Sequence, residues 1–313
     1  MGAYIPKSWD YQKFHNNLWN HAQELNKTNT SVIRQLLGVH KKSSNLAILG
    51  ETGKYPLCIK IYINIMKYWL RLMNTDSVLL KEAYEIHQLN FQNKGNSWLK
   101  IVHFLLKITD SYGNKIPSTV GDQAWFMKLY KSRLINCFEN WWKNQISNSG
   151  KLDFYSTVKK HFRFESYLDN LDRDIRLFVT RLRISSHNLP VEIGRYRKEK
   201  MERNDRKCDI CAIDDIGDES HYLLRCKNHR LSEIRNTFLT EVKSKVLQLR
   251  NLTDRDIIQY CLTMGDETLQ LSTGLFIKKI LVKYREEKAV PPLYILCSKV
   301  LGKEVPDSTF VPV

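Results

Sequence analysis

The sequence has no uninterrupted apolar run near the ~18 residues that a membrane-spanning helix needs, and its mean hydropathy is -0.42. The amino-terminal stretch MGAYIPKSWDYQKFH lacks the apolar core of a secretory signal. Gly2 opens no myristoylation motif, because Pro6 stands where that signal needs Ser or Thr. These absences predict an intracellular protein of the nucleus, the cytoplasm or both, with no membrane as partner. Internal repeats and low-complexity tracts are also missing. Acidic residues are scarce: 33 Asp plus Glu face 49 Lys plus Arg, for a net charge of +16. Such an excess favours a polyanion, since each phosphate neutralised by Lys or Arg releases condensed counterions. A basic surface that binds nothing is the alternative.

What is present suffices for a folded protein. With 313 residues, 42% of them hydrophobic, the chain can bury a full core as one large domain or two ordinary ones. The seven cysteines, in a reducing compartment, are not expected to form a disulfide framework.

The dominant pattern is helical, and the fold class expected is mostly α: a helical scaffold with a small CCHC zinc-binding module. Ile59, Tyr62, Ile63, Met66, Trp69, Leu70 and Met73 fall on one face, with Lys60, Asn64, Lys67 and Arg71 on the other. In SWLKIVHFLLKI (97–108), Trp98, Val102 and Leu105 are expected inward and Lys100, His103 and Lys107 outward. A longer stretch, 121–147, offers Trp125, Leu129, Phe138, Trp141 and Trp142 as anchors, more naturally core than base-stacking. SNSGK (147–151) reads as a loop and a domain boundary. The expected organisation is an unassigned segment 1–33, a helical domain 34–147, a basic helical segment 151–207, a zinc module with its following helix 208–250, and a helical segment 251–313 with a weakly patterned tail from Pro291.

Between Phe164 and Arg183 the residues Leu168, Leu171, Ile175, Phe178, Val179 and Leu182 form an apolar stripe, while Arg173, Arg176 and Arg183 share the opposite face with Arg181 flanking. Guanidinium forks on one face suit phosphate oxygens; Asp169, Asp172 and Asp174 are the competing partners. GRYRKEKMERNDRK (194–207) looks too polar to pack. Leu231, Ile234, Phe238, Val242, Val246 and Leu249 predict a further helix.

CDICAIDDIGDESHYLLRC (208–226) carries the most specific chemistry. Cys208 and Cys211, two residues apart, let both thiolates of one turn meet an ion, and His221 with Cys226 supply two more corners of a tetrahedron, which suits Zn²⁺. Four protein ligands close the site, so a structural zinc is expected rather than a catalytic one. The connecting loop AIDDIGDES is mostly acidic and small, with no aromatic residue and only Ile213 and Ile216 as apolar side chains of any size, so a metal crosslink would supply its order. Lys207 and Arg225 stand beside ligands and would balance the excess negative charge. Cys226 and His229 also form a usable pair, which leaves His229 as an alternative fourth ligand. Cys58, Cys137, Cys261 and Cys297 read as core thiols.

The segment DESHYLLRC after a CxxC resembles the region downstream of the polymerase domain in non-LTR (LINE-type) retrotransposon reverse transcriptases. RLRISSHNLPVEIGRY (181–196) is similar to the R-x-S-x-H-x-L-x-I-E-x-GRY block of those proteins. LLGVHKKSSNLAILGETGKYPL (36–57) resembles their LGVHKK-x-S-N-x-A-x-x-GELGRYPL block, and MKYWLRLMNTDSVLL (66–80) fits as well. The blocks run colinearly over roughly residues 34 to 250. The chain departs at Glu51-Thr52-Gly53-Lys54, where the family has GELGR, and at Lys227-Asn228, where Pro often follows the last cysteine.

The resemblance implies the post-polymerase, zinc-binding region of an endonuclease–reverse transcriptase, with His221 as fourth ligand. It further implies contact with template RNA or target DNA during target-primed reverse transcription. A polymerase itself needs an [FY]-x-D-D turn to hold two metal ions. The only adjacent aspartates, Asp214 and Asp215, lack the preceding aromatic and lie inside the cysteine loop, so no enzyme activity is expected. The candidate phosphate contacts are Arg173, Arg176, Arg181, Arg183, Arg195, Arg197 and Lys198. The competing expectation is a protein-docking module whose partner is a polymerase domain.

Overall fold

The computed structural model describes residues 18–20, 23–93, 95, 97–111, 119–199, 201–211 and 213–289. Cys297 and the tail from Pro291 lie outside them. Among the described residues the fold is mostly helical and contains no strand, and no helix is long and apolar enough to cross a membrane. The chain divides into two compact units, Met1–Phe164 and Glu165–Val313.

The first unit contains α1 (Gln23–Leu37), α2 (Asn45–Thr52), α3 (Leu57–Met73), α4 (Val78–Gln92), α5 (Leu99–Ile108), α6 (Val120–Ser147) and α7 (Asp153–Val158). Its core is aromatic. The anchors of α6 recur every fourth residue, at Phe126, Tyr130, Leu134, Phe138, Trp142 and Ile146, and all six are buried. Trp125 sits one position before this row, about 100° around the helix, and is 63% exposed. It is therefore not one of the anchors, contrary to the sequence expectation. Trp142 donates through Nε1 to Leu46 O (2.9 Å), and Tyr155 Oη of α7 donates to Ala47 O (3.2 Å). These bonds tie α6 and α7 to α2.

The glycines of the GETG turn have distinct reasons. A Cβ at Gly50 would stand 2.5 Å from Tyr155 Oη and 2.6 Å from Trp142 Cζ2. Gly53 adopts φ +60° beyond the end of α2, and a Cβ there would meet Phe164 N at 2.4 Å. An isolated antiparallel bridge joins Thr52 to Phe164 at the same place. Turn residues follow α6 at 148–150 as expected, but Phe154, Tyr155 and Phe162 are all buried and the division between units falls after Phe164.

Helix α3 matches its sequence pattern closely. Cys58, Ile59, Tyr62, Met66, Trp69 and Leu70 are buried, and Lys60, Asn64, Lys67 and Arg71 are exposed. Trp98, just before α5, is half-buried, with Val102 and Leu105 inside.

The second unit contains α8 (Tyr167–Asn170), α9 (Arg173–Arg183), α10 (Pro190–Ile193), a π-helical turn (His221–Arg225), α11 (His229–Lys245), α12 (Asp254–Leu262) and α13 (Glu267–Ala289). The helical stripe expected across 164–183 is broken: Leu171 and Asp172 are extended, so α8 and α9 are separate. Helix α13 is the spine. Its Leu269, Phe276, Ile277, Ile280 and Leu281 are buried, Phe276 stacks on Phe238 of α11 with ring centroids 4.2 Å apart, and Gly274 admits Ile175 of α9, whose Cγ2 would be 2.6 Å from a Cβ.

Candidate metal centre

The loop that carries the first two cysteines is held before any metal is considered. An antiparallel bridge pairs Lys207 with Ile216. Cys208 N donates to Asp215 O (3.0 Å) and Gly217 N donates to Arg206 O (2.8 Å). Gly217 packs against Pro190, whose Cγ would stand 2.9 Å from a Cβ. The other two donors come from the π-helical turn. There Cys226 N donates to His221 O (2.7 Å), an i to i+5 bond that brings the two ends of the His-x4-Cys spacing together.

Cys208, Cys211, His221 and Cys226 converge, with their donor atoms all within 4.8 Å of one another. Cys211 Sγ and His221 Nε2 are 3.4 Å apart. A tetrahedral zinc site with Zn–S near 2.3 Å sets sulfur atoms about 3.8 Å apart, so a modest contraction closes the cluster on an ion. Of the candidate fourth ligands, His221 is the one in the cluster; His229 is exposed at the start of α11.

His221 is oriented for ligation through Nε2. Its Nδ1 lies 2.9 Å from Asp215 Oδ2, and its ring is fully buried. A carboxylate on the far nitrogen fixes the tautomer and raises ligand basicity, the usual support of a metal-bound imidazole. Asp215 is itself held by Arg225, whose Nε donates to Oδ2 (2.8 Å). That bond, with a smaller contribution from His221, keeps the Asp215 carboxyl ionised down to about 2. Asp214, its neighbour, pairs with Lys207 at 3.0 Å and is largely exposed. The adjacent aspartates thus point to different tasks, one on the histidine and one on the surface.

Burial works against a charged His221, but its bonds with Cys208 and Asp215 outweigh burial and raise its pKa to about 9. The hydrogen bond from Cys226 depresses the Cys208 pKa and correspondingly raises that of Cys226. A cation entering the cluster would displace these protons, and three thiols and an imidazole converge as a donor set that could hold a metal ion.

The charge balance differs from the sequence expectation. Lys207 and Arg225 pair with Asp214 and Asp215 rather than with the thiols. Arg235 of α11, not singled out in the sequence, stands beside Cys226: it is half-buried and donates to Leu223 O (2.9 Å) and Cys226 O (3.2 Å). Desolvation lowers its pKa, and the Cys226 sulfur acts in the opposite sense. A second layer anchors the cluster to α13, where Tyr222 Oη donates to Asp209 Oδ1 (2.8 Å), Tyr284 Oη to Asp209 Oδ2 (3.1 Å), and Lys288 pairs with Asp209 at 2.9 Å. Residues 219 and 187 add a buried link: Glu219 Oε1 accepts from Ser185 Oγ (2.8 Å) and lies 2.7 Å from His187 Nε2.

The candidate phosphate contacts do not form one face. Arg173, Arg197 and Lys198 are exposed. Arg176 is half-buried and donates to Leu168 O (2.5 Å). Arg181 is half-buried. Arg195 pairs with Glu192 at 3.0 Å. Arg183 corrects the expectation outright. It follows Val179 by one turn, is 1% exposed, and donates its guanidinium hydrogens to Leu262 O (2.8 Å) and Glu165 Oε2 (3.2 Å). The basic segment 194–207 is also more packed than its composition suggests, because Arg206 lies over Gly194 and donates to Val191 O (3.0 Å) and Met201 O (2.6 Å). Of the lone cysteines, Cys58 and Cys261 are buried and Cys137 is half-buried.

Compared with protein-family models, curated proteins and solved structures, the chain matches none.

Proposed function

We propose that the Cys208–Cys211–His221–Cys226 cluster holds a structural zinc ion and that the second unit is a nucleic-acid-binding module. The reading follows the resemblance to the post-polymerase region of non-LTR reverse transcriptases, where such a module would contact template RNA or target DNA. One observation carries it: three thiols and a carboxylate-backed imidazole share a site within 4.8 Å, on a basic chain of net charge +16. Zinc fits because sulfur-rich, four-donor, all-protein sets are its structural mode. The phosphate contacts proposed are the exposed Arg173, Arg197 and Lys198, with Arg183 removed because burial takes it from the surface. The chain is proposed to be non-enzymatic, since its adjacent aspartates serve the loop.

The test uses the full chain and short RNA or DNA oligonucleotides. Log affinity should fall steeply with log salt, and an Arg173→Gln/Arg197→Gln/Lys198→Gln variant should give a shallower slope, by roughly 2 on single strands. A wild-type chain whose binding is absent or flat in salt would overturn the reading.

A second reading, a protein-docking module, is favoured by α4. None of its residues is buried, and Val78, Leu79, Ile86 and Leu89 are each more than half exposed. Salt-insensitive capture of a partner domain, with no nucleic-acid binding, is the result it requires.

A further inference from the structure

Helix α3 of the first unit presents a row of cations that no described residue neutralises. Lys60, Asn64, Lys67 and Arg71 recur at i, i+4, i+7 and i+11 along its exposed side, a line of about 16 Å at 1.5 Å per residue. None of the three cations makes an ion pair with a described residue. The sequence explains why: no Asp or Glu occurs between Glu51 and Asp76, so the helix supplies no acid of its own. Its opposite face is buried through Cys58, Tyr62, Met66 and Trp69, which fixes the orientation of the row.

Aromatic surface adjoins it. Tyr68 lies between Asn64 and Arg71 on the helical net and is half exposed. Its ring centroid is 5.7 Å from that of Trp98, which is itself half-buried. Cations alone would suit any polyanion. Cations beside a half-exposed tyrosine that leans on a half-buried tryptophan suit a strand whose bases are free to stack, because base–aromatic stacking adds to backbone neutralisation. An acidic peptide or an anionic lipid surface offers no such base.

We infer that the Lys60–Lys67–Arg71 face of α3, with Tyr68 and Trp98, is a binding surface for single-stranded nucleic acid. It shares the partner class of the function proposed above but stands on a different unit and different residues.

The experiment measures affinity of the full chain for a short oligouridylate across a salt series. Lys60→Gln/Lys67→Gln/Arg71→Gln should make the slope of log affinity against log salt shallower by about 2, at roughly 0.7 for each phosphate no longer neutralised on a single strand. Tyr68→Ala should weaken binding by about tenfold with the slope unchanged, as expected when one base stack is removed. The charge-conserving Lys60→Arg/Lys67→Arg variant should keep the wild-type slope. Circular dichroism separates a binding defect from unfolding; should the triple variant lose helicity, Tyr68→Ala and the arginine variant decide alone. An unchanged slope in the triple variant, with weakened binding in Arg173→Gln/Arg197→Gln/Lys198→Gln, overturns the inference and leaves the second unit's function standing. A triple variant that no longer binds polyglutamate or anionic vesicles, yet still binds oligouridylate as the wild type does, overturns it in favour of another polyanion. A wild-type chain that binds no oligonucleotide overturns both.

Discussion

His221 illustrates what a single residue contributes to this protein. Its Nε2 faces the thiols and its Nδ1 faces Asp215, so one ring joins a donor cluster to a carboxylate that Arg225 in turn holds. Substituting Asp215 by Asn should therefore weaken zinc binding about 10- to 100-fold without removing a ligand, read by competition with a chromophoric chelator. His221→Ala should abolish tight binding, whereas His229→Ala should retain it. Wild-type affinity in the Asp215 variant would remove the carboxylate from the site. The ligand spacing was legible from the sequence because CxxC is a local geometric device. Asp215 and Arg235 were not, because each reaches the cluster only once the loop hairpin and the π-helical turn have formed. The acidity of the loop then reads differently: Asp214 and Asp215 neutralise Lys207 and Arg225, while Arg235 donates to the backbone carbonyls of Leu223 and Cys226.

At the scale of elements, helical period decided most of what was legible. Helix α3 was readable at most positions, since its basic residues and most of its apolar ones separate; Ile63 and Met73, expected inward, are half-buried, and Leu72 is buried without having been singled out. Helix α6 was readable as a helix but not in its facing, because Trp125 and Trp141 flank the four-residue row of anchors and blur the stripe. Trp142→Ala should cost about 3–5 kcal/mol, since it empties a fully buried site and strands the carbonyl of Leu46. Trp125→Ala should stay within about 0.5 kcal/mol. Urea denaturation of both variants checks the pair, and equal losses would contradict the assignment of α6's inner face. Helix α13 was the least legible. Gln270, Ser272 and Thr273 are buried in it, and Gln270 Nε2 donates to Ser166 Oγ and Met264 O, both at 2.8 Å. Polar residues inside the spine erase the apolar period that sequence reading depends on.

The whole molecule consists of two helical units with different means of cohesion. The first has an aromatic core around Trp142, Phe138 and Phe162, whose rings meet edge to face. The second packs α9 and α11 on α13 and attaches to them a loop whose larger apolar side chains are Ile210, Ile213 and Ile216. That loop is held by a bridge, by Asp209 and Glu219, and by the convergence of four metal-type donors. The positive charge of the chain is not evenly engaged. Many cations of the second unit take part in ion pairs or carbonyl contacts, while the row on α3 makes no ion pair with a described residue. Overall charge was legible from composition, but its distribution required knowing which arginines the fold buries, and Arg183 is the clearest case. The most direct test is the metal content of the purified full chain, measured by elemental mass spectrometry. The account predicts about one zinc per chain; a folded chain that carries no metal would contradict it.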